Sequence, residues 1–248
     1  MNNTLTIARH ELRRIFVSPL AWSVLGVVQL ILGFVFLLVL IDYANNPQLA
    51  TDEFTGVADY VGGQLFGFAT IVLLLVMPLM TMRLFSEERK SGSIDLLHSA
   101  PVSLTEVVLG KYLGLVGFML ALLALIALMP LSLLLGTDLD VGRIFAGLLG
   151  LLLMMLAFGA AGLFVSTLTK EPTIAAVTGF GLLLIVWLMQ ILAYQDLPFA
   201  EVFSYLSLVG HYEALQRGVF DSSDVVYYLL FTGLFLWLAV QRLDLERN

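Results

Sequence analysis

Residues 144–169 read IFAGLLGLLLMMLAFGAAGLFVSTLT, a run of 26 residues that contains no Asp, Glu, Lys or Arg. A helix rises about 1.5 Å per residue, so about 20 apolar residues cross the roughly 30 Å hydrocarbon core of a bilayer. The run is continuously apolar and does not alternate, which is not the pattern of a transmembrane β-strand. It therefore predicts a transmembrane helix.

Five other stretches lack charged residues in the same way, and they cover residues 15–41, 60–82, 112–137, 172–195 and 225–241. The last is short, and we expect its helix to begin earlier, at Ser222 and Ser223. The composition agrees, because 60% of the 248 residues are hydrophobic and only 12% are charged, against about 25% charged in soluble domains. We predict an all-α integral membrane protein with six transmembrane helices, in which residues 1–248 form a single transmembrane domain.

The basic residues are divided unequally between the two sides that six spans define. Arg143 and Arg217 are the two on the side away from the termini, and eleven acidic residues accompany them. The other ten lie on the side of the termini: Arg9, Arg13, Arg14, Arg83, Arg89, Lys90, Lys111, Lys170, Arg242 and Arg247. Since Lys and Arg are enriched in cytoplasmic loops, we expect both termini in the cytoplasm.

Residues 4–17, before the first span, form an amphipathic pattern at helical spacing. Basic side chains, among them Arg9 and Arg13, lie off the apolar face, which consists of Leu5, Ala8, Leu12, Ile15 and Phe16. This pattern predicts a helix at the cytoplasmic membrane surface. Two roles remain open: a lipid anchor that fixes the topology, or an elbow helix that moves with a cytoplasmic partner.

The longest cytoplasmic connection, residues 83–111, contains clear signals for where helices end and begin. Glu87, Glu88, Arg89 and Lys90 continue the second helix beyond the membrane, and Gly92 is a typical helix stop. The sequence Ser103-Leu104-Thr105-Glu106 is a capping box, which predicts the start of the third helix there.

Between these signals, residues 93–99 can form a two-turn helix that is closed by Pro101. Its apolar side chains, Ile94, Leu96 and Leu97, have no obvious partner in this chain. The segment is therefore either a docking surface for another protein or a loop that lies on the lipid headgroups.

Residues 196–222, between the fifth and sixth spans, are too apolar for a solvated loop, and Tyr205 and Tyr212 are among their aromatic residues. We expect this segment to fold back towards the membrane as a re-entrant segment of short helices, covered by protein. The following residues, Asp221-Ser222-Ser223-Asp224, favour a helix start.

The spans lack the groups that intramembrane chemistry requires. They contain no ionisable residue, and Gln29 and Gln190 are their main polar side chains, so proton or sodium coupling is disfavoured. The chain has no cysteine and no G-x-x-x-x-G-K-[ST] motif, and its three histidines lie in separate regions. We expect no metal site, no cofactor in this chain and no intramembrane enzyme; energy would come from another polypeptide.

Small residues recur about four positions apart, at Gly63 and Gly67, at Gly110 and Gly114, and in the run Gly159-Ala160-Ala161-Gly162. Such spacing allows close approach of two helices. It does not by itself separate packing within one chain from a dimer interface.

Three blocks of the sequence resemble the permease subunits of ABC-2 type transporters, in particular the branch associated with gliding motility and nitrous-oxide-reductase maturation. They are HELRRIFVSPLAWSV (10–24), MRLFSEERKSGSIDLLHSAPVSLTEVVLGKYLG (82–114) and YLSLVGHYEALQRGVFDSSDVVYYL (205–229). The second block departs from the family pattern at Ala100, between Ser99 and Pro101, which leaves the turn there unspecified.

The resemblance implies a type V exporter fold: an elbow helix with Arg9, Leu12, Arg13 and Phe16, six spans, and dimerisation with a second permease, identical or related. It also implies that residues 87–103 form a coupling helix, which docks on a separate ATPase subunit that binds ATP and Mg. The implied docking residues are Glu87, Glu88, Arg89, Lys90, Ile94, Asp95, Leu96, Leu97 and Pro101.

Two functions follow from the resemblance. The first is the permease subunit of an ATP-driven exporter in the bacterial inner membrane, with Gln29, Gln190, Tyr205 and Tyr212 as candidate cavity or gate residues. The alternative is a mechanotransmitter, a platform that passes ATP-driven motion to a periplasmic or envelope accessory protein without moving a substrate. Membrane lipid is an expected partner of either, and nucleic acid is not. The sequence does not identify a cargo.

Overall fold

The computed structural model describes residues 3–46, 57–93, 102–135, 140–194, 202, 205–218 and 220–247. These residues are almost entirely helical. The helices are α1 (Asn3–Val17), α2 (Pro19–Asn45), α3 (Val57–Thr81), α4 (Arg83–Ser91), α5 (Leu104–Ser132), α6 (Val141–Leu168), α7 (Pro172–Ala193), α8 (Leu208–Gln216) and α9 (Ser222–Arg247). A short 3-10 turn, Leu133–Leu135, follows α5.

Six helices are long and apolar enough to cross a membrane, as the sequence predicted, and they are α2, α3, α5, α6, α7 and α9. The sixth begins at Ser222, so it includes both predicted serines. Its start is fixed by Asp221, whose Oδ1 accepts the Ser223 backbone N–H at 2.9 Å. That hydrogen bond favours the ionised carboxylate and lowers the pKa of Asp221.

Helix α6 is the centre of the bundle and is buried along most of its length. It packs against α3, α4, α5, α7, α8 and α9. By contrast, α2, α7 and α9 leave large apolar faces exposed, including Leu30, Ile185 and Leu230. An apolar face that is exposed in a single chain meets lipid or a second protein in the bilayer.

The small residues of α6 are used within the chain. A Cβ built on Gly147 would lie 2.7 Å from the Phe66 ring, and one on Gly150 would lie 2.9 Å from Tyr212. Equivalent atoms on Gly159 and Gly162 would collide with Met119 and Thr81. These glycines therefore let neighbouring helices approach α6 closely, and they are not available for a dimer interface.

Helix α8 lies in the predicted re-entrant segment and packs against α6 through Leu208, Tyr212 and Leu215, all of which are buried. The Gln216 amide donates to the carbonyl of Gly63. Three bonds among the described residues tie the region to α9: Tyr227 donates to the Leu206 carbonyl at 2.7 Å, Tyr228 donates to the Leu208 carbonyl at 2.6 Å, and His211 Nδ1 lies 2.7 Å from Asp224 Oδ1.

Candidate functional site

A buried ion pair joins the two helices that flank the predicted coupling segment. Lys111 on α5 is only 3% exposed, and its Nζ lies 2.6 Å from Glu88 Oε1 on α4. The same ammonium donates to the Leu84 carbonyl at 2.8 Å and lies 3.3 Å from Glu11 Oε2 on α1. Burying a charge is tolerated only when it is paired and hydrogen-bonded, and these three contacts meet that condition.

Arg14 extends this pairing from α1 to the exposed side of α4. Its guanidinium lies 2.9 Å from Glu87 Oε2 and donates to the Arg83 carbonyl at 3.2 Å. It also lies 3.5 Å from Glu11 Oε2 and 3.8 Å from Glu88 Oε1. Glu11, Arg14, Glu87, Glu88 and Lys111 therefore form one connected set of charges, which we name the cytoplasmic charge cluster after the side of the membrane that the sequence predicts for it.

Helix α1 is held along the first half of α5 by a groove of glycines. A Cβ on Gly110 would lie 2.7 Å from Ile7, one on Gly114 would lie 2.7 Å from Glu11 Cβ, and one on Gly117 would lie 2.7 Å from Leu12. Backbone contact of this kind brings Glu11 against α5, where Lys111 faces it. The glycine spacing seen in the sequence is thus explained by α1.

The two ends of the coupling segment have the predicted local structure. Gly92 ends α4 with φ +73°, a left-handed conformation that glycine adopts without steric cost. The capping box at the start of α5 is formed, because Ser103 Oγ accepts the Glu106 N–H at 3.2 Å and Glu106 accepts the Ser103 N–H at 2.9 Å. Both boundary predictions are confirmed.

The predicted docking residues fall into two groups. Ile94, Asp95, Leu96, Leu97 and Pro101 lie outside the described residues, so their docking role stays a prediction. Glu87 and Glu88 belong to the cytoplasmic charge cluster and face their own chain. Arg89 and Lys90 lie in the last turn of α4, and Lys90 Nζ is 2.8 Å from Glu171 Oε2 at the start of α7.

The predicted elbow helix exists as α1, and it packs on α5. Leu12 contacts α5, and the Phe16 ring lies 6.0 Å from the Phe118 ring. Leu5, on the predicted apolar face, is 62% exposed, whereas Ile7, which was not assigned to that face, contacts Gly110. Arg9 and Arg13 are exposed, as expected for the polar side.

The four candidate cavity residues do not form one site. Gln29 donates to the Leu125 carbonyl at 3.2 Å and so joins α2 to α5. Gln190 donates to Tyr194 at 3.1 Å and lies 3.4 Å from Glu213 on α8. Tyr212 is buried under α6, while Tyr205 is 68% exposed. Each makes local packing contacts, and their role as a gate stays a prediction.

Sequence reasoning missed Glu11 and Arg14 as members of a site. Glu11 was not assigned a role, although a single acidic residue in a basic amphipathic helix is a signal that it has a basic partner. Lys111 was noted for its side of the membrane and as part of the family's Gly-Lys pattern. The sequence did not indicate that Lys111 is buried, because its partners Glu88 and Glu11 are 23 and 100 residues away along the chain.

The fold and this cluster define a multi-pass helical membrane protein with a charged cluster at the end of the bundle where α4 and α5 meet α1. A family model described as ABC-2 family transporter protein matches residues 38–240, well over half of the chain. The chain therefore belongs to the ABC-2 transporter family and is a permease subunit, the membrane component of an ABC transporter. Membership implies an ATPase partner subunit. No curated protein is similar enough to the chain to count as a relative.

Proposed function

We propose that this permease dimerises with a second permease chain and is driven by a separate ATPase subunit that docks on residues 87–103. The observation that carries the proposal is the Lys111–Glu88 ion pair, which at 2.6 Å joins α4, where that segment begins, to α5, which directly follows it. ATP and Mg would be bound by the partner subunit, and the permease pair would export a substrate.

The Lys111–Glu88 ion pair connects α4 to α5 mechanically, so that a movement of one helix is passed to the other. Separating the buried Lys111 ammonium from the Glu88 carboxylate breaks the shortest ion pair that either group makes, at a site with little water to replace it, and is therefore costly. A force applied between α4 and α5 therefore moves both helices together. Because Glu11 and Arg14 belong to the same cluster, α1 moves with them.

We also propose the finer identity that the sequence blocks indicate. The charge asymmetry supports a bacterial inner-membrane protein with both termini in the cytoplasm. The three sequence blocks support the branch associated with gliding motility and nitrous-oxide-reductase maturation. The exposed apolar faces of α2, α7 and α9 are the available surfaces for a second permease and for lipid.

The test is ATPase activity of the complex purified with its nucleotide-binding subunit. Lys111→Met should abolish the stimulation that the permease gives to the ATPase. Because this variant removes a buried charge, Arg14→Gln serves as the milder second variant, since the Arg14 side chain is 33% exposed. Full stimulation in both variants, with the complex intact, would contradict the proposal.

A second candidate function, the mechanotransmitter, is favoured by the attachment of α8. This helix is bonded to α3 through Gln216 and to α9 through Tyr228 and His211. Movement of the spans would therefore be delivered to the surface opposite the cytoplasmic charge cluster. Gentle purification and identification of co-purifying proteins separates the two functions, because a transmitter requires an envelope partner at fixed stoichiometry.

A further inference from the structure

A groove of about 550 Å³ opens at the membrane surface opposite the cytoplasmic charge cluster. It lies between the start of α6 and the turn that follows α8. Arg143 and Arg217 both line it, and they are the two basic residues that the sequence places on that side of the membrane. Two arginines therefore line one groove on a side where acidic residues otherwise dominate.

The local geometry keeps the two arginines close to each other. Gly218, directly after Arg217, has φ +81°, and a Cβ built on it would lie 3.3 Å from Cγ of Arg143. A side chain at this position would therefore press on the Arg143 stem. Asp140, which also lines the groove, accepts the Arg143 backbone N–H at 3.2 Å as the cap of α6.

The charge of the groove is positive. Among the residues that the structure describes, its charged lining residues are Arg143, Arg217 and Asp140. Within the part of the chain that the structure describes, the Arg217 guanidinium makes no ion pair and no side-chain hydrogen bond. Guanidinium groups bind phosphate with two parallel hydrogen bonds, so an exposed and unengaged arginine in a groove is suited to that anion.

The remaining walls are apolar and partly exposed. Phe145 is 58% exposed, Leu149 37% and Phe220 62%, and all three line the groove beside the arginines. Phe145 and Leu149 lie on α6 towards the membrane interior, because α6 begins at the surface with Val141. An anion-binding end therefore adjoins an apolar wall that faces the acyl chains.

We propose that this groove binds the phosphate of an anionic glycerophospholipid, with its acyl chains against Phe145, Leu149 and Phe220. Arg217 and Arg143 contact the phosphate, and the net positive charge disfavours a headgroup that carries its own cation. This site does not depend on the proposed coupling to an ATPase.

The test uses the full chain in detergent and counts bound lipid by native mass spectrometry. Phosphatidylglycerol and phosphatidylcholine are titrated separately, and inorganic phosphate is used as a competitor. We expect phosphatidylglycerol to bind more tightly than phosphatidylcholine, and Arg217→Gln to weaken it about tenfold, as for the loss of one charged hydrogen-bonding group. Lys170→Gln is the matched control, because it removes an exposed positive charge at the opposite membrane surface.

Phe145→Ser separates the lipid from a free anion. It should weaken phosphatidylglycerol binding and leave the effect of inorganic phosphate unchanged. Unaltered phosphatidylglycerol binding in Arg217→Gln would overturn the proposal. So would equal affinity for the two lipids, or phosphate binding that matches phosphatidylglycerol, since the groove would then be a site for a free anion.

Discussion

Lys111 Nζ and Glu88 Oε1 lie 2.6 Å apart and join α5 to α4, the helices on either side of residues 92–103. The Lys111 side chain is 4% exposed and that of Glu88 is 19% exposed. Helices α4 and α5 are therefore joined by an ion pair that is largely shielded from solvent, with Glu88 the more exposed partner. A partner that pushes on residues 92–103 would therefore act on two helices that this ion pair already holds together.

Lys111→Met is expected to lower the free energy of unfolding by about 3 kcal/mol, because it removes the cation that Glu11 and Glu88 share and leaves both carboxylates with only the more distant Arg14. Thermal unfolding of the purified protein measures this. Adding Glu88→Gln to Lys111→Met should restore part of the loss, since the glutamate charge is then removed as well. Lys170→Met is the control for loss of an exposed lysine. Equal stability of the single and double variants would contradict this reading of the pair.

The Arg14–Glu87 pair is expected to contribute much less to stability. Its side chains are 33% and 41% exposed, and exposed ion pairs are worth about 0–1 kcal/mol. A double-mutant cycle with Arg14→Gln and Glu87→Gln measures the coupling energy. A value as large as that of the Lys111–Glu88 pair would show that solvent does not screen this side of the cluster.

Gly114→Ala is expected to destabilise the protein by about 1–3 kcal/mol, because the added methyl group would lie 2.7 Å from Glu11 Cβ and force α1 away from α5. Gly181→Ala on α7 is the matched control, since nothing lies within 4 Å of a Cβ there. Alanine favours the helix more than glycine does, so the control should be neutral or slightly stabilising. Thermal unfolding compares the two variants. A change in stability of the same sign in both would be evidence against close packing of α1 on α5.

A pair of tyrosines tests the packing of α8. The Tyr228 hydroxyl donates to the Leu208 carbonyl at 2.6 Å, so Tyr228→Phe should cost about 1 kcal/mol. Among the described residues, the buried Tyr212 hydroxyl has no hydrogen-bond partner, so Tyr212→Phe should be neutral or stabilising. The free energy of unfolding is measured for both variants. A larger loss of stability in Tyr212→Phe than in Tyr228→Phe would mean that the Tyr212 hydroxyl has a hydrogen-bond partner in the membrane.

Leu97→Asp tests the docking prediction that rests on the sequence alone. We expect it to abolish ATPase stimulation in the purified complex and to leave membrane insertion intact, because a charge would replace an apolar docking contact. Leu245→Asp, at an exposed position near the end of α9, is the matched control. Stimulation that survives Leu97→Asp would remove this residue from the docking surface.

Local features of this chain could be predicted from the sequence because a few neighbouring residues determine them. Gly92 and the Ser103–Glu106 box act within one helical turn, and both have the expected conformation. The six spans follow from length and the absence of charge. Each of these features is independent of how the helices are arranged.

The arrangement of the helices could not be predicted in the same way. On a helix that is apolar all round, periodicity does not reveal which face is buried. On the amphipathic α1, the apolar pattern did not include Ile7, which packs against Gly110, and the partner of Glu11 was not found. Glycine spacing indicated close approach, but it did not indicate that α1 was the helix that approaches Gly110 and Gly114.

The central position of α6 determines where movement can be observed. A helix enclosed on nearly all sides by its own chain cannot slide without repacking many neighbours at once, so it provides a fixed reference for the others. Spin labels placed on two points of α6 should keep a constant separation through an ATP cycle. Distances from α6 to α2, α7 or α9 should change, because each of these helices has an exposed apolar face.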